Sequence, residues 1–222
     1  MGEGRIVEAF IGEYASGKSE NAINRALMLA RAGRKVTLVD LDLVEPFYTL
    51  RPIAKKLEKE GIRVIAWETS ETMGLGEAGS VLKPEMRWAL LTAGDVILDI
   101  GYGVHGAKIL NMLEGVDQTP ELKVYAVINI FRPMTSTVDA IVEFVRSLGR
   151  VDGLINNSHV GEETTIEMVC QGARVVAEAA AKLGLPVIAT SALKPLAEKI
   201  GPRDCVGNPV WPLQRFMDAS FW

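Results

Sequence analysis

The chain is poor in cysteine. Its 222 residues carry two, Cys170 and Cys205, and neither has a metal-ligand spacing. With only two histidines as well, this argues against a metallochaperone cluster. The two cysteines are expected to be reduced thiols, as in a cytosolic protein, so a cytoplasmic location is predicted. A basic excess is also missing: 24 Lys and Arg against 28 Asp and Glu give a net charge of −4. This argues against a broad nucleic-acid surface. No apolar run reaches the ~18 residues of a membrane span. The start, Met1-Gly2-Glu3-Gly4-Arg5, has no apolar signal region. Repeats, low-complexity tracts and linkers are absent, so one domain over 1–222 is expected.

What the chain does have is a phosphate loop near its start. Gly12, Glu13, Tyr14, Ala15, Ser16, Gly17, Lys18 and Ser19 read G-x-x-x-x-G-K-S. Glycines allow the backbone to wrap closely and turn its N–H groups toward phosphate oxygens. The helix that follows adds the positive end of its dipole. Lys18 would bridge β- and γ-phosphates, and Ser19 would offer a hydroxyl to Mg²⁺. The setting agrees. An apolar, strand-like run, 5–11, precedes the loop, and Ala22, Ile23, Ala26, Leu27 and Ala30 follow at helical spacing.

A rhythm runs on from there. Helical patterns close at Gly33, Gly61, Gly94, Gly149 and Gly184, each soon followed by a β-rich run. A further run, 122–128, lacks that glycine start. The strands are continuous apolar runs, as in strands buried on both faces. Alternating strands and helices predict an α/β fold: three layers, doubly wound, with a mostly parallel sheet, the P-loop NTPase fold. Such folds bind ligands at the carboxyl ends of the strands, so polar residues there are the candidates.

Three groups stand at those ends. The second strand finishes in Asp40-Leu41-Asp42, whose carboxylates share a face if the chain stays extended. One would bind Mg²⁺ through water while the other orients an attacking water. The strand 96–98 ends in Asp99, a Walker B pattern in which Asp99 holds a Mg²⁺-bound water. Gly101 and Gly103 after it suit a γ-phosphate-dependent switch. Later, Asn156 and Asn157 follow an apolar strand, and an amide can pair with a base edge. No N-K-x-D follows, so the usual carboxylate for guanine is missing and adenine is favoured. A dinucleotide reading fails because the loop is not G-x-G-x-x-G. The glycine-rich 73–80 segment suits a lid, a partner-binding loop or a plain connection. The aromatic tail from Trp211 is expected to dock on the chain's own core rather than on a membrane or partner.

Together these residues resemble the MinD/ParA/CobQ-type P-loop ATPases, the broad group that includes the nitrogenase iron protein. The resemblance spans nearly the whole chain. It implies an ATPase that binds ATP or ADP with Mg²⁺, and a homodimer or other protein partner controlled by the nucleotide. It assigns the hydrolytic role to Asp42, metal roles to Ser19, Asp40 and Asp99, and the adenine contact to Asn157, with Asn156 beside it. One position departs. Many members carry a second lysine after the first loop glycine, reaching across a dimer; here it is Glu13, whose carboxylate would repel phosphate. Two competing functions remain: an ATP-dependent small-molecule kinase or ligase similar to dethiobiotin synthetase, and a non-catalytic nucleotide-binding module.

Overall fold

A computed structural model describes residues 4–43, 50–67 and 82–217. The 73–80 segment and the tail beyond Met217 lie outside the described residues. The described strands are β1 (Val7–Gly12), β2 (Val36–Leu41), β3 (Ile62–Ile65), β4 (Asp95–Ile100), β5 (Leu122–Ile128), β6 (Gly153–Asn156), β7 (Val187–Leu193) and β8 (Val210–Leu213). They form one eight-stranded sheet in the order β3-β2-β4-β1-β5-β6-β7-β8, and every pairing is parallel. The described helices are α1 (Lys18–Arg31), α2 (Ala54–Lys59), α3 (Pro84–Arg87), α4 (Gly103–Lys108), α5 (Val138–Ser147), α6 (Ile166–Leu183) and α7 (Lys194–Ile200).

Alternation along the strands divides the core into two layers. Phe10, Leu38, Ile97 and Val127 face α1, where they meet Ala22, Ile23, Ala26 and Leu27. Ile11, Val39, Leu98 and Ala126 face the other way, toward Ile141, Val145 and Val176 of α5 and α6. Helices therefore cover both faces, which is why the strands read as unbroken apolar runs. Asp40 and Asp99 are register partners on β2 and β4 and share parity with Leu38 and Ile97. Both carboxylates thus point to the α1 side, where the phosphate loop ends. Thr137 caps α5 and Thr165 caps α6; each side chain accepts from a backbone N–H of the first turn.

Two features lie outside what the local sequence pattern predicts. The first is β8, an edge strand built from the start of the aromatic tail. Its continuation runs back along α1: Asn24 exchanges two 2.8 Å hydrogen bonds with the Gln214 backbone, and Glu20 accepts from the N–H groups of Phe216 and Met217. Arg25 lies over the Trp211 ring while making a bidentate pair with Glu8 of β1. The second corrects the reduced-thiol expectation. Cys170 of α6 and Cys205 of the loop before β8 form a disulfide, with Cα atoms 5.8 Å apart. Spacing in sequence, 35 residues, does not reveal such a pair; the fold brings the two together. Cysteine usage therefore carries no argument for a reducing compartment. Among the described residues no helix is long and apolar enough to cross a membrane.

Candidate nucleotide-binding site

The loop between β1 and α1 sits at the carboxyl end of a central strand, with β4 on one side and β5 on the other. Its shape depends on Gly17, which has φ +87° and opens α1. A Cβ there would lie 2.0 Å from Asn157 Nδ2. That amide donates to Ser16 O at 2.7 Å and accepts from Ser191 Oγ at 3.1 Å. So Asn157 buttresses the loop from the end of β6, and Gly17 lets its side-chain amide reach the loop backbone. From the β5 side, Arg132 Nε donates to Ala15 O at 3.2 Å.

Glu13 belongs to the same buttress. Its carboxylate accepts from Met134 N at 3.2 Å and from Thr135 Oγ1 at 3.1 Å. Its carboxylate is thus engaged by donors of the β5–α5 connection within its own chain. Asn156 is fully buried. It donates to Val169 O and Thr190 Oγ1 and accepts from Ser158, which places it behind the cavity wall rather than in it.

The acidic group gathers opposite the lysine. Lys18 Nζ is 3.4 Å from Asp42 Oδ2, and both side chains are buried. Asp40 accepts from the N–H of Asp42 at 3.1 Å and of Leu50 at 3.0 Å, so it ties the end of β2 to Leu50. Asp99 is wholly buried and accepts from the Ser19 hydroxyl. Burial first, then the charges of Asp40 and Asp42, push its pKa up to about 8 against the pull of Lys18 and Ser19. Among the described residues its Oδ1 has no protein partner, nor does the buried Ser16 Oγ. Three carboxylates around one lysine, with an orphaned oxygen next to a loop hydroxyl, fit a divalent cation that would keep Asp99 ionised. Among the described residues no cluster of three or more His, Cys, Asp or Glu is arranged to hold a metal by itself. Mg²⁺ suits such a site, since it takes one or two carboxylates and draws its other ligands from phosphates and water.

After β4 the chain turns through Gly101 and Tyr102 into α4. Tyr102 meets the exposed Tyr14 of the phosphate loop edge-on, with ring centroids 5.7 Å apart. Gly106 packs against this turn so closely that a Cβ would lie 1.8 Å from Gly101 O. Backbone cannot yield as a side-chain tip does. Gly106→Ala is therefore expected to cost about 2–3 kcal/mol, read as a shift in the urea midpoint at unchanged m-value.

A cavity of about 450 Å³ opens beside Lys18, Ser19 and Asp42. One wall is the β6–α6 connection, with Ser158, His159 and Thr164; the other is Ala192, Leu193, Pro195 and Leu196. Arg215 and Met217 of the tail line it as well. Phosphate-loop chemistry at one end and an apolar wall at 192–196 suit a nucleotide laid across the strand ends. The chain has the P-loop nucleoside-triphosphatase fold.

Comparisons agree on that level. The signal recognition particle receptor FtsY of Elizabethkingia anophelis, solved in complex with GDP, superposes at a TM-score of 0.58 with 17% identity over 97% of this chain and 61% of its own. The FtsY cell division protein of Thermotoga maritima gives 0.55 and 18%, over 86% of this chain and 62% of its own. The signal recognition particle 54 kDa protein of Aeropyrum pernix K1, also in complex with GDP, gives 0.52 and 21%, over 83% and 41%. A tRNA dimethylallyltransferase from Erythrobacter litoralis is 28% identical over 127 residues, 54% of this chain and 39% of its own. The chain thus spans about three fifths or less of each of these proteins. No protein-family model matches it.

The structure brings Lys18, Ser19, Asp40, Asp42 and Asp99 together, as their strand-end positions predict, and separates Asn156 from them. Sequence reasoning passed over Glu20, Asn24, Arg132, His159 and Arg215. For the tail contacts the only local signal was an amphipathic, aromatic terminus. For Arg132 and His159 it was position alone, each just after a strand end.

Proposed function

We propose that this chain is a Mg²⁺-dependent ATP-binding protein that hydrolyses ATP and uses the nucleotide state to control a protein partner. The observation that carries the reading is Lys18 held 3.4 Å from Asp42, with Asp99 and its orphaned oxygen beside Ser19. With nucleotide present, Lys18 would leave Asp42 for the phosphates, and Asp42 would orient the attacking water. Ser19 and Asp99 would hold Mg²⁺, with Asp40 contributing charge and, through water, a ligand. The ion would supply positive charge to the phosphate oxygens. The Tyr14–Tyr102 contact ties the phosphate loop to the start of α4, and this supports Gly101–Gly103 as the moving part.

Adenine is favoured over guanine because Asn157-Ser158-His159-Val160 carries no carboxylate. Two of the structural neighbours hold GDP, so base choice is a point to measure rather than to carry over. Within the fold, the MinD/ParA/CobQ-type reading is supported by the Asp40-Leu41-Asp42 pair with Asp42 against Lys18. A homodimer would have to work without a lysine at position 13, since Glu13 is engaged within its own chain.

Asp42→Asn tests the reading. It keeps size and shape beside Lys18 but removes the charge that orients water. Phosphate release is expected to fall by roughly 100-fold or more, while Mg–ATP affinity stays within about threefold. Unchanged turnover would remove Asp42 from hydrolysis. ADP formed only when a metabolite is added would instead favour the small-molecule kinase.

A further inference from the structure

We infer that His159 binds phosphate in this site, donating its Nε2–H to the α- or β-phosphate of the nucleotide beside Gly17. The inference rests on the nucleotide reading above and adds a ligand contact to it. Three hydrogen bonds hold the residue, two at its backbone and one at its ring. Asn129 clamps its backbone, donating to His159 O at 3.0 Å and accepting from His159 N at 3.2 Å. Nδ1 accepts from Gly161 N at 3.3 Å. With Nδ1 serving as acceptor, the proton of a neutral imidazole sits on Nε2. That nitrogen faces the phosphate loop: a Cβ on Gly17 would lie 3.7 Å from it. Among the described residues Nε2 meets no acceptor, and His159 lines the same cavity as Lys18 and Ser19.

The surroundings suit an anion rather than a base edge. Burial first, then Arg132 and Arg215, push the His159 pKa down to about 4, so the ring is a neutral donor in a cationic corner. Arg132 is bonded to Ala15 O of the loop, and Arg215 is 3.6 Å from Glu162 at the cavity rim. Phosphate oxygens arriving beside the first turn of α1 would meet the Gly17 backbone on one side and Nε2 on the other. A histidine that only shaped the 159–161 turn would need Nδ1 and no aimed Nε2.

Calorimetry with Mg–ATP, Mg–ADP and adenosine on wild-type, His159→Ala and His159→Gln protein decides. His159→Ala is expected to weaken ATP and ADP alike by roughly tenfold and leave adenosine unchanged. His159→Gln, which restores an N–H donor of similar reach, is expected to recover both to within about threefold. Thermal melting of each variant checks that the fold survives. Affinity of His159→Ala equal to wild type, or equal losses in both variants, would overturn the inference and leave the site standing. No binding by the unaltered chain would overturn the nucleotide site and this contact with it.

Discussion

Lys18→Ala is expected to raise the Kd for Mg–ATP by roughly 100-fold or more while the chain stays folded. A hydrogen bond to a charged group is worth about 1.5–3 kcal/mol, and each 1.4 kcal/mol is tenfold in affinity. Lys18 would make such contacts to two phosphates, in a half-enclosed cavity where water screens poorly. It is also the cation nearest the acidic group: Asp42 is 3.4 Å away, and Asp99 feels its charge. Removing it takes away the side-chain cation between Asp42 and an incoming triphosphate. Its methylenes are not core material, because Lys18 lies at the cavity and the apolar contacts of α1 begin at Ala22 and Ile23. Calorimetry reads the affinity, and far-UV circular dichroism reads the fold. Wild-type affinity would mean the loop does not grip phosphate.

Gly17→Ala is expected to do more damage than a left-handed glycine usually predicts. Gly33 supplies the comparison. It has φ +79° with nothing within 4 Å of a new Cβ, so Gly33→Ala costs only conformational strain, about 1–2 kcal/mol. At Gly17 the same strain comes with a Cβ placed 2.0 Å from Asn157 Nδ2, an amide already held by Ser16 and Ser191. The amide must leave, which costs a buried hydrogen bond, a further 1–3 kcal/mol or so. Gly17→Ala should therefore be less stable than Gly33→Ala by about 2 kcal/mol in urea unfolding, and should also lose nucleotide affinity, which Gly33→Ala should keep. Equal destabilisation would mean that Asn157 does not brace the loop.

The contrast between Gly17 and Asn157 also shows what could be read before the structure. The phosphate loop was legible because its chemistry is local: glycines, lysine and serine act within one turn between a strand and a helix. Asp42 and Asp99 were legible because a parallel sheet sends its strand ends to one edge, and Asp40 and Asp99 are register partners there. Seven of the eight strands follow from apolar runs. The bracing role of Asn157 was not legible, because an amide at a strand end has no visible partner in sequence. Its partner, Ser16 O, is 141 residues away. The partners of Glu13 were hidden for the same reason, since Met134 and Thr135 reach it only once β5 lies beside β1. The tail strap on Glu20 and Asn24 and the Cys170–Cys205 disulfide are likewise products of the fold. Local patterning announces which residues do chemistry far better than it announces what holds them in place.

The most direct test is a calorimetric titration of the unaltered chain with ATP and with GTP, each with Mg²⁺ and with EDTA in its place. One ATP site per chain, at least tenfold tighter with Mg²⁺ than with EDTA and at least tenfold tighter than GTP, is the predicted result. No heat with either nucleotide, or binding indifferent to Mg²⁺, would contradict the assignment of Lys18, Ser19 and Asp99 to a nucleotide–metal site.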